Sequence, residues 1–264
     1  MQPRVVVVGG GRMGAALVAG LLVAGWPPGA ITVVEASERR RAEIGRELPG
    51  VVVAAEACRG AGAVVAVKPA DAEAACRALA GTGTPRVLSI MAGVPLADLA
   101  QWLGPAAVAM RAMPNTPALV RAGVAALAGG EGCPEADLVW AEAILGAVGE
   151  VVRVPEDDLD AVTGLSGSGP AYVFLVAEAL VDAGVAAGLS PEVSTTLALH
   201  TLAGAGRLLL ETGRDPMALR AQVTSPGGTT EAGVRVLEDL GLRAALVAAV
   251  AAAAARSREL GRRP

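Results

Sequence analysis

Residues 222–234 contain the residue types that bind a small anion at the start of a helix. Pro226 restricts the backbone, and the glycine pair at 227 and 228 lets backbone amides approach a ligand. Thr229 and Thr230 follow with hydroxyl groups, at the point where the unpaired amides of a first helical turn gather. The ligand that fits such a site is a carboxylate or a phosphate. The segment therefore predicts a binding site for a small anionic substrate.

A second glycine-rich segment, residues 9–14, follows a run of valines and has the pattern Gly-x-Gly-x-x-Gly. Gly9 permits a tight turn, Gly11 lets a pyrophosphate approach the backbone, and Gly14 allows close packing of a helix on a strand. Arg12 and Met13 occupy the variable positions before Gly14, and the predicted helix begins at Met13. In this position between strand and helix, the pattern predicts a dinucleotide-binding turn.

The choice between NADH and NADPH stays open at this point. Glu35 lies 21 residues after Gly14, at the end of the second predicted strand. An acidic side chain there binds a ribose 2′-hydroxyl and disfavours a 2′-phosphate. Ser37, Arg39 and Arg40 follow closely, however, and are of the types that hold that phosphate.

Two further motifs are candidates for ligand contacts. Residues 111–117 leave a predicted central strand, and their two prolines restrict the backbone around Asn115 and Thr116. Because ligands of open α/β sheets bind at the carboxyl ends of strands, this segment is predicted to line the nicotinamide pocket, the alternative being a stiff surface turn. In residues 164–172, Ser168 or Gly169 is predicted to cap a helix whose first turn suits Pro170. A direct ligand role for Ser166 or Ser168 is the alternative.

Short β-branched runs alternate with alanine-rich helical stretches in the first part of the chain. This rhythm predicts a Rossmann-type, doubly wound parallel sheet. The predicted strands are residues 4–8, 31–34, 63–67, 86–90 and 107–111, with a further pair at 124–128 and 150–154. The helices expected between them are residues 13–24, 38–48, 71–80, 96–103 and 134–145.

After residue 155 the pattern becomes entirely helical, with segments at 171–187, 192–212, 216–223, 229–240 and 242–258. We therefore predict a dinucleotide-binding domain over residues 1–156 and an all-α substrate and dimerisation domain over residues 157–264. The predicted helices are apolar around most of their circumference, which indicates packing between subunits. A homo-oligomer is expected.

Composition restricts the class of protein. The chain has 264 residues, 53% of them apolar, and a net charge of −4 with scattered arginines, so nucleic acid is not an expected partner. The three cysteines form neither a disulfide framework nor a metal site, which favours a reducing cytoplasm. The apolar run at residues 244–255 is too short to cross a bilayer, so no membrane is expected either.

The usual acid and base residues of dehydrogenases are missing from the helical part. His200 lies in an apolar helical segment, Lys68 is the only lysine, and Tyr172 has no lysine four residues later. An electrophile that arrives already activated needs no such group. A cyclic iminium that carries a carboxylate fits this requirement, because the protein then has only to position it against the nicotinamide.

Five segments, in the same order and spacing, resemble the Δ1-pyrroline-5-carboxylate reductase family: GGGRMG, AVKP, RAMPNTP, SGSGPAY and SPGGTTEAG. The resemblance covers essentially the whole chain, and SPGGTT is its most specific part. It implies reduction of the cyclic imine to L-proline with NADPH or NADH, the last step of proline biosynthesis. It also implies a homodimer formed through interlaced helical domains, often assembled further into a decamer.

The resemblance implies roles for individual residues. Thr230 would hydrogen-bond the ring nitrogen, and the substrate carboxylate would be held by Ser225 and the backbone of Gly228, Thr229 and Thr230. Together with the glycine turn at residues 9–14, Glu35 and Ser37, the cofactor would be contacted by Ala66, Val67, Lys68, Pro69, Met113, Pro114, Asn115 and Thr116.

This chain departs from the family pattern at two positions. Arg12 stands where asparagine is common, and Glu35 stands where NADPH-preferring members have a neutral residue. Both departures concern cofactor preference.

Two rival functions remain: a reductase for another imine or ketone with a small carboxylate, and a nucleotide-binding regulatory protein without turnover. The intact SPGGTT segment argues against the second, because a sensor needs no second anion site.

Overall fold

The computed structural model describes residues 5–261, and Arg4, predicted to begin the first strand, lies outside them. The described residues contain one eight-stranded sheet with the order β3-β2-β1-β4-β5-β6-β7-β8. Its strands are β1 Val5–Val8, β2 Ile31–Val34, β3 Val52–Ala54, β4 Gly62–Val65, β5 Arg86–Ser89, β6 Val108–Met113, β7 Gly123–Gly129 and β8 Gly149–Arg153.

The predicted doubly wound sheet is confirmed, with two differences. The first six strands run parallel in the Rossmann order. Strand β7, however, pairs antiparallel with β6, because the connection between them is too short for a crossover helix. Strand β3 was not predicted from the sequence, since it has only three residues and none of them is fully buried.

The helices begin and end within a few residues of the predicted positions. They are α1 Arg12–Val23, α2 Glu38–Glu47, α3 Ala72–Ala80, α4 Leu96–Leu103, α5 Glu135–Leu145, α6 Leu159–Val162, α7 Gly169–Ala186, α8 Pro191–Thr212, α9 Pro216–Gln222, α10 Thr229–Asp239 and α11 Leu242–Gly261. Helix α6 was not predicted, and α11 continues one turn beyond the expected end.

The sheet is buried on both faces, as parallel sheets are. In β1, Val5 and Val7 join one apolar cluster and Val6 and Val8 join another. Helices α1, α2 and α5 cover the first face, and α3 and α4 cover the second. This double burial explains why the strands are continuous β-branched runs. Packing on both faces also holds the carboxyl ends of the strands in fixed positions.

The chain forms two compact units. The first contains the described residues up to Ser168 together with those from Ala251 onward, and the second contains Gly169–Val250. The predicted domain boundary between residues 156 and 157 stays a prediction. A continuous helical stretch, Glu156–Ala186, is long and apolar enough to cross a membrane by length and composition alone, with mean hydropathy 1.4 and an unburied apolar window.

Within the second unit, α7 and α8 pack most closely at a glycine. A Cβ added at Gly184 would lie 2.1 Å from the Ser194 hydroxyl oxygen, and that hydroxyl donates to the Val181 carbonyl at 2.6 Å. Many large apolar side chains of this unit remain exposed in the single chain. Leu210 is 87% exposed and Phe174 is 60% exposed. The helical unit thus presents an apolar surface with few charges.

Substitution of Gly14 tests the close packing of α1 on β1. We expect Gly14→Ala to lower the free energy of unfolding by about 1–3 kcal/mol, because its Cβ would lie 2.1 Å from the Gly9 carbonyl oxygen. Gly45→Ala in α2 is the control, since no heavy atom lies within 4 Å of its Cβ position. It should gain about 0.5–1 kcal/mol from helix propensity. Thermal unfolding followed by circular dichroism measures both, and equal melting of Gly14→Ala and wild type would contradict this packing.

Candidate active site

A cavity of about 820 Å³ lies over the carboxyl ends of β1, β2 and β4 in the first unit. Open α/β sheets bind their ligands in this position. Of the predicted cofactor residues, the cavity is lined by Gly9, Gly11, Glu35, Ala66, Val67 and Lys68. The structure therefore brings together three segments that are well separated in the sequence.

The glycines of the first turn have the conformations and neighbours that the motif predicts. Gly9 has a φ of +103°, which favours glycine, and a Cβ there would lie 2.6 Å from the Ala66 carbonyl oxygen. Gly14 packs in the same way against Gly9. At Gly11, by contrast, no heavy atom lies within 4 Å of the Cβ position. Open space is left at the glycine where a ligand is expected to approach the backbone.

The start of α1 offers unpaired amides to that space. Gly11 is the N-cap residue, no side chain caps the helix, and the first turn contains no acidic residue. The first internal backbone bond runs from the Ala15 amide to the Gly11 carbonyl at 2.9 Å. The amides of Arg12, Met13 and Gly14 precede it and have no acceptor within the helix. These residues fit the pyrophosphate of a dinucleotide, which carries negative charge to the positive end of the helix dipole.

Glu35 and Ser37 lie just beyond the end of β2. The Glu35 carboxylate lines the cavity, and its two oxygens accept hydrogen bonds from the backbone amides of Gly10 and Ser37. The Ser37 hydroxyl accepts from the Arg40 amide at 3.4 Å and so caps α2. Hydrogen bonding to Glu47 is the main cause that raises the pKa of Arg40. The acid is thus at the cavity wall, while Arg40 is paired within α2.

The segment that includes Met113, Pro114, Asn115 and Thr116 lies away from the lining of this cavity. Pro114 borders a smaller void beside Gly123 and Gly149. Pro69, in turn, begins a short 3-10 turn directly after Lys68. Contact of these residues with a cofactor stays a prediction.

Asn115 is committed to hydrogen bonds within the protein. Its side-chain oxygen accepts from the Val124 amide of β7 at 2.9 Å, and its side-chain nitrogen donates to the Ser166 carbonyl at 3.1 Å. The side chain is buried. Asn115 therefore joins the loop after β6 to both β7 and the SGSGP segment.

The predicted helix cap at Ser168 or Gly169 is wrong. Residues 163–167 form a π-helical turn between α6 and α7, and the Ser168 amide donates to the Thr163 carbonyl at 2.8 Å. The helix continues through this segment, so no cap is needed. Pro170 has no amide hydrogen to donate to the Ser166 carbonyl four residues earlier. The Asn115 side chain supplies the missing donor, which explains how the helix passes a proline.

A second, polar cavity of about 460 Å³ includes Arg111, the first residue of the RAMPNTP motif. The buried Arg111 guanidinium donates to Glu156 at 3.1 Å, and the same carboxylate oxygen accepts from the Leu96 amide at 2.6 Å. Asp160, also on this cavity, accepts from the Ser257 hydroxyl at 2.6 Å. These contacts fix the start of α4 and the turn before α6 to strand β6.

In the helical unit, the SPGGTT segment forms the start of α10. Gly227 has a φ of +71° and Gly228 is the N-cap residue, without a side-chain cap. The Gly228 amide donates to the Ser225 carbonyl at 3.0 Å. The first internal bond of the helix is made by Ala232, so the amides of Thr229 and Thr230 have no acceptor within the helix. Unpaired amides at a helix start fit an anion.

Sequence reasoning missed several residues of the dinucleotide cavity. They follow β3, precede α3 or lie on α3: Ala55, Glu56, Ala57, Asp71, Ala74, Ala75 and Ala78. Small side chains on α3 leave room beside the carboxyl end of β4. The only signal in the sequence is the alanine spacing of α3, and that spacing is equally typical of a packed helix.

Comparisons with known proteins agree for both parts of the chain. Residues 156–260 match the family described as pyrroline-5-carboxylate reductase dimerisation, and residues 4–93 match NADP oxidoreductase coenzyme F420-dependent. A pyrroline-5-carboxylate reductase from Synechocystis sp. is 49% identical over 201 residues, which are 76% of this chain and 75% of that protein. This chain belongs to the pyrroline-5-carboxylate reductase family. The predicted membership is confirmed.

Solved structures of pyrroline-5-carboxylate reductases have the same fold. The protein from Coxiella burnetii has a TM-score of 0.93 at 37% identity, and the comparison covers 100% of both chains. The protein from Plasmodium falciparum, solved with NADP bound, has a TM-score of 0.86 at 28% identity and 99% coverage of both chains.

Removal of the Asn115 amide tests its role in the reductase fold. We expect Asn115→Ala to lower the free energy of unfolding by about 2–4 kcal/mol, because the Val124 amide and the Ser166 carbonyl would both lose their partner. The measurement is thermal unfolding at a fixed protein concentration. Thr116→Ala, at the exposed neighbouring position, is the control and should melt like wild type. Identical melting of Asn115→Ala and wild type would exclude the bridge.

Proposed function

We propose that this chain reduces Δ1-pyrroline-5-carboxylate to L-proline with NADPH or NADH, the last step of proline biosynthesis. The observation that carries the proposal is the start of α10, where the unpaired amides of Thr229 and Thr230 follow the glycine pair. It supplies an anion site in a reductase that also has a dinucleotide cavity. Membership of the family and the NADP in the Plasmodium falciparum relative support the same reading.

The substrate carboxylate is bound at this helix start. The amides of Thr229 and Thr230 donate to it, the Ser225 hydroxyl adds a third donor, and the positive end of the α10 dipole stabilises its charge. The Gly227 amide is not available, because it donates to the Glu231 carboxylate at 2.7 Å. Glu231 thereby holds the loop that precedes the site. The Gly228 amide donates to the Ser225 carbonyl and closes the turn, so Gly228 shapes the backbone of the site and does not donate to the substrate.

The reaction needs little acid or base chemistry from the protein. When bound, the nicotinamide supplies a hydride to the carbon of the protonated C=N bond, and the π electrons of that bond become the nitrogen lone pair. The Thr230 hydroxyl accepts a hydrogen bond from the ring N–H and keeps the ring oriented. Positioning of this kind accounts for about 7–11 kcal/mol of barrier reduction in well-oriented reactions. The exposed His200 in α8 has no part in this scheme.

The dinucleotide is held in the first unit. The amides of Arg12, Met13 and Gly14 bind its pyrophosphate, with Gly9 and Gly11 leaving the space, and Glu35 and Ser37 lie at the ribose. We include Ala66, Val67, Lys68 and Pro69 among the contacts, together with the segment from Met113 to Thr116. For Asn115 the contact would be through the backbone, because its side chain is already paired.

The assembly that we propose is a homodimer formed through the helical unit, with a decamer as the larger form. Burial of side chains such as Phe174 and Leu210 against a second subunit would remove a large apolar surface from water. The apolar stretch within Glu156–Ala186 is assigned to the same subunit packing. We place the protein in the cytoplasm, with no nucleic acid and no membrane as partners.

Turnover with the purified protein tests the reaction directly. We expect rapid loss of nicotinamide absorbance in the near ultraviolet when Δ1-pyrroline-5-carboxylate is added, with L-proline as the product. A six-membered cyclic imine with a carboxylate serves as the comparison substrate and should react more slowly. Faster reduction of that imine would move the assignment to a different reductase. No turnover in folded protein that binds nucleotide would instead support a regulatory role.

The role of Thr230 is tested by substitution. We expect Thr230→Ala to lower kcat/KM for the imine by roughly 100-fold, since one preorganised hydrogen bond to the reacting group is lost. Thr230→Ser keeps the hydroxyl and should recover most of the activity. The dissociation constant for the nicotinamide cofactor should be unchanged in both variants. Full activity of Thr230→Ala would remove this hydroxyl from the reaction.

Assembly is tested by light scattering coupled to size-exclusion chromatography. Because the exposed apolar side chains of α7 and α8 require a partner surface, we expect a mass at least twice the chain mass of 26.1 kDa. Dilution over a wide range should leave the mass constant if the interface is obligate. A stable species of one chain mass would contradict the proposed dimer.

A further inference from the structure

The ribose end of the dinucleotide cavity has a fixed negative charge. The two oxygens of Glu35 accept hydrogen bonds from the Ser37 amide at 2.9 Å and the Gly10 amide at 3.0 Å. Both donors belong to the backbone, so the carboxylate is held in place at the cavity wall without a cationic partner. A carboxylate fixed in this way is a ready acceptor for a ribose hydroxyl.

Arg40, one of the two arginines that are candidates for holding a 2′-phosphate, already has hydrogen-bond partners within the protein. Arg40 donates to the Gly10 carbonyl through Nε at 2.8 Å and to Glu47 through both terminal nitrogens at 2.9 and 3.0 Å. It also contacts Glu43 at 3.2 Å. Three acceptors thus satisfy this guanidinium. Its structural role is to hold the glycine turn against α2.

The neighbouring arginines do not change this conclusion. Arg41 donates to the carbonyls of Glu35 and Ala36 at 2.9 and 2.6 Å, which fixes the backbone after β2. Arg39 has an 89% exposed side chain and only a loose ion pair with Glu43, at 3.9 Å. Neither residue lines the cavity. Among the described residues, the ionisable groups that line it are Glu35, Glu56, Asp71 and Lys68.

We infer that Glu35 makes this reductase prefer NADH to NADPH. The 2′-hydroxyl of NADH donates to the Glu35 carboxylate, whereas the 2′-phosphate of NADPH would bring a second negative charge against it. The acids that line the cavity outnumber its one lysine, so their net negative charge adds to this repulsion. This inference rests on the proposed function for the identity of the site. It separates the chain from the Plasmodium falciparum relative, whose structure contains NADP.

Cofactor binding without the imine tests the inference independently of turnover. Titration calorimetry of the full-length protein with NADH and NADPH should give a dissociation constant for NADPH that is at least about tenfold higher. Raising the salt concentration should narrow this ratio, because salt screens repulsion between partly exposed charges. Equal affinities for the two cofactors, or tighter binding of NADPH, would overturn the inference.

Substitution of Glu35 assigns the preference to one residue. Glu35→Gln removes the charge, keeps an acceptor oxygen and adds an amide donor, so NADPH should bind at least about tenfold more tightly than to wild type. Glu38→Gln removes an acid from α2 that does not line the cavity. It should leave the ratio of the NADPH and NADH dissociation constants unchanged. An unchanged ratio in folded Glu35→Gln would overturn the assignment.

The two arginines give a matched pair that separates structural from ligand roles. Arg40→Met should weaken the binding of NADH and the binding of NADPH by the same factor. The reason is that the hydrogen bond from Arg40 to the Gly10 carbonyl, which supports the glycine turn, is lost. Arg39→Met should change neither constant. Selective weakening of NADPH in either variant would show a phosphate contact and overturn the inference. Clear NADH preference without imine reduction would leave the inference standing and refute the proposed reaction instead, so the two failures are distinguishable.

Discussion

The contact between the Gly9 carbonyl and Gly14 is the constraint on which the nucleotide-binding unit depends. Helix α1 can start directly against β1 only because no side chain separates these two backbones. The same turn brings the Ala66 carbonyl of the segment after β4 against Gly9. The unpaired amides of α1, the acid after β2 and the segment after β4 therefore meet around one cavity. A single steric condition thus sets the geometry of this cavity.

A different constraint acts on the helical unit, because many of its large apolar side chains are exposed in the single chain. One group of its charged residues is the cluster in which Glu238 of α10 pairs with Arg220 and Arg243 at 3.0 and 2.8 Å. Elsewhere large apolar side chains reach the surface of the single chain. In the proposed homodimer a second subunit covers these side chains, so the stability of the helical unit would depend on protein concentration. The proposed anion site at the start of α10 belongs to this unit.

The sequence allowed most of the fold to be predicted, because strands buried on both faces are continuous β-branched runs. It failed for β3, where Val52 is exposed and the strand is short. The glycine turn and Glu35, which were predicted from local chemistry, do line one cavity, and their contact with a cofactor stays a prediction. The hydrogen bonds of the site could not be predicted where the two partners are far apart in the sequence or meet only after folding. Asn115 finds its acceptor 51 residues away, and the commitment of Arg40 to Glu47 appears only once α2 has formed.

The first unit is discontinuous in the chain, and this affects the order in which it can be completed. Ser257 in the last turns of α11 donates to Asp160, a partner 97 residues earlier. During synthesis, the ribosome therefore releases all of Gly169–Val250 before the segment that closes the first unit becomes available. The first unit therefore lacks its C-terminal segment until the helices of Gly169–Val250 have been synthesised. Contacts with such long sequence separation are typical of slow steps in folding.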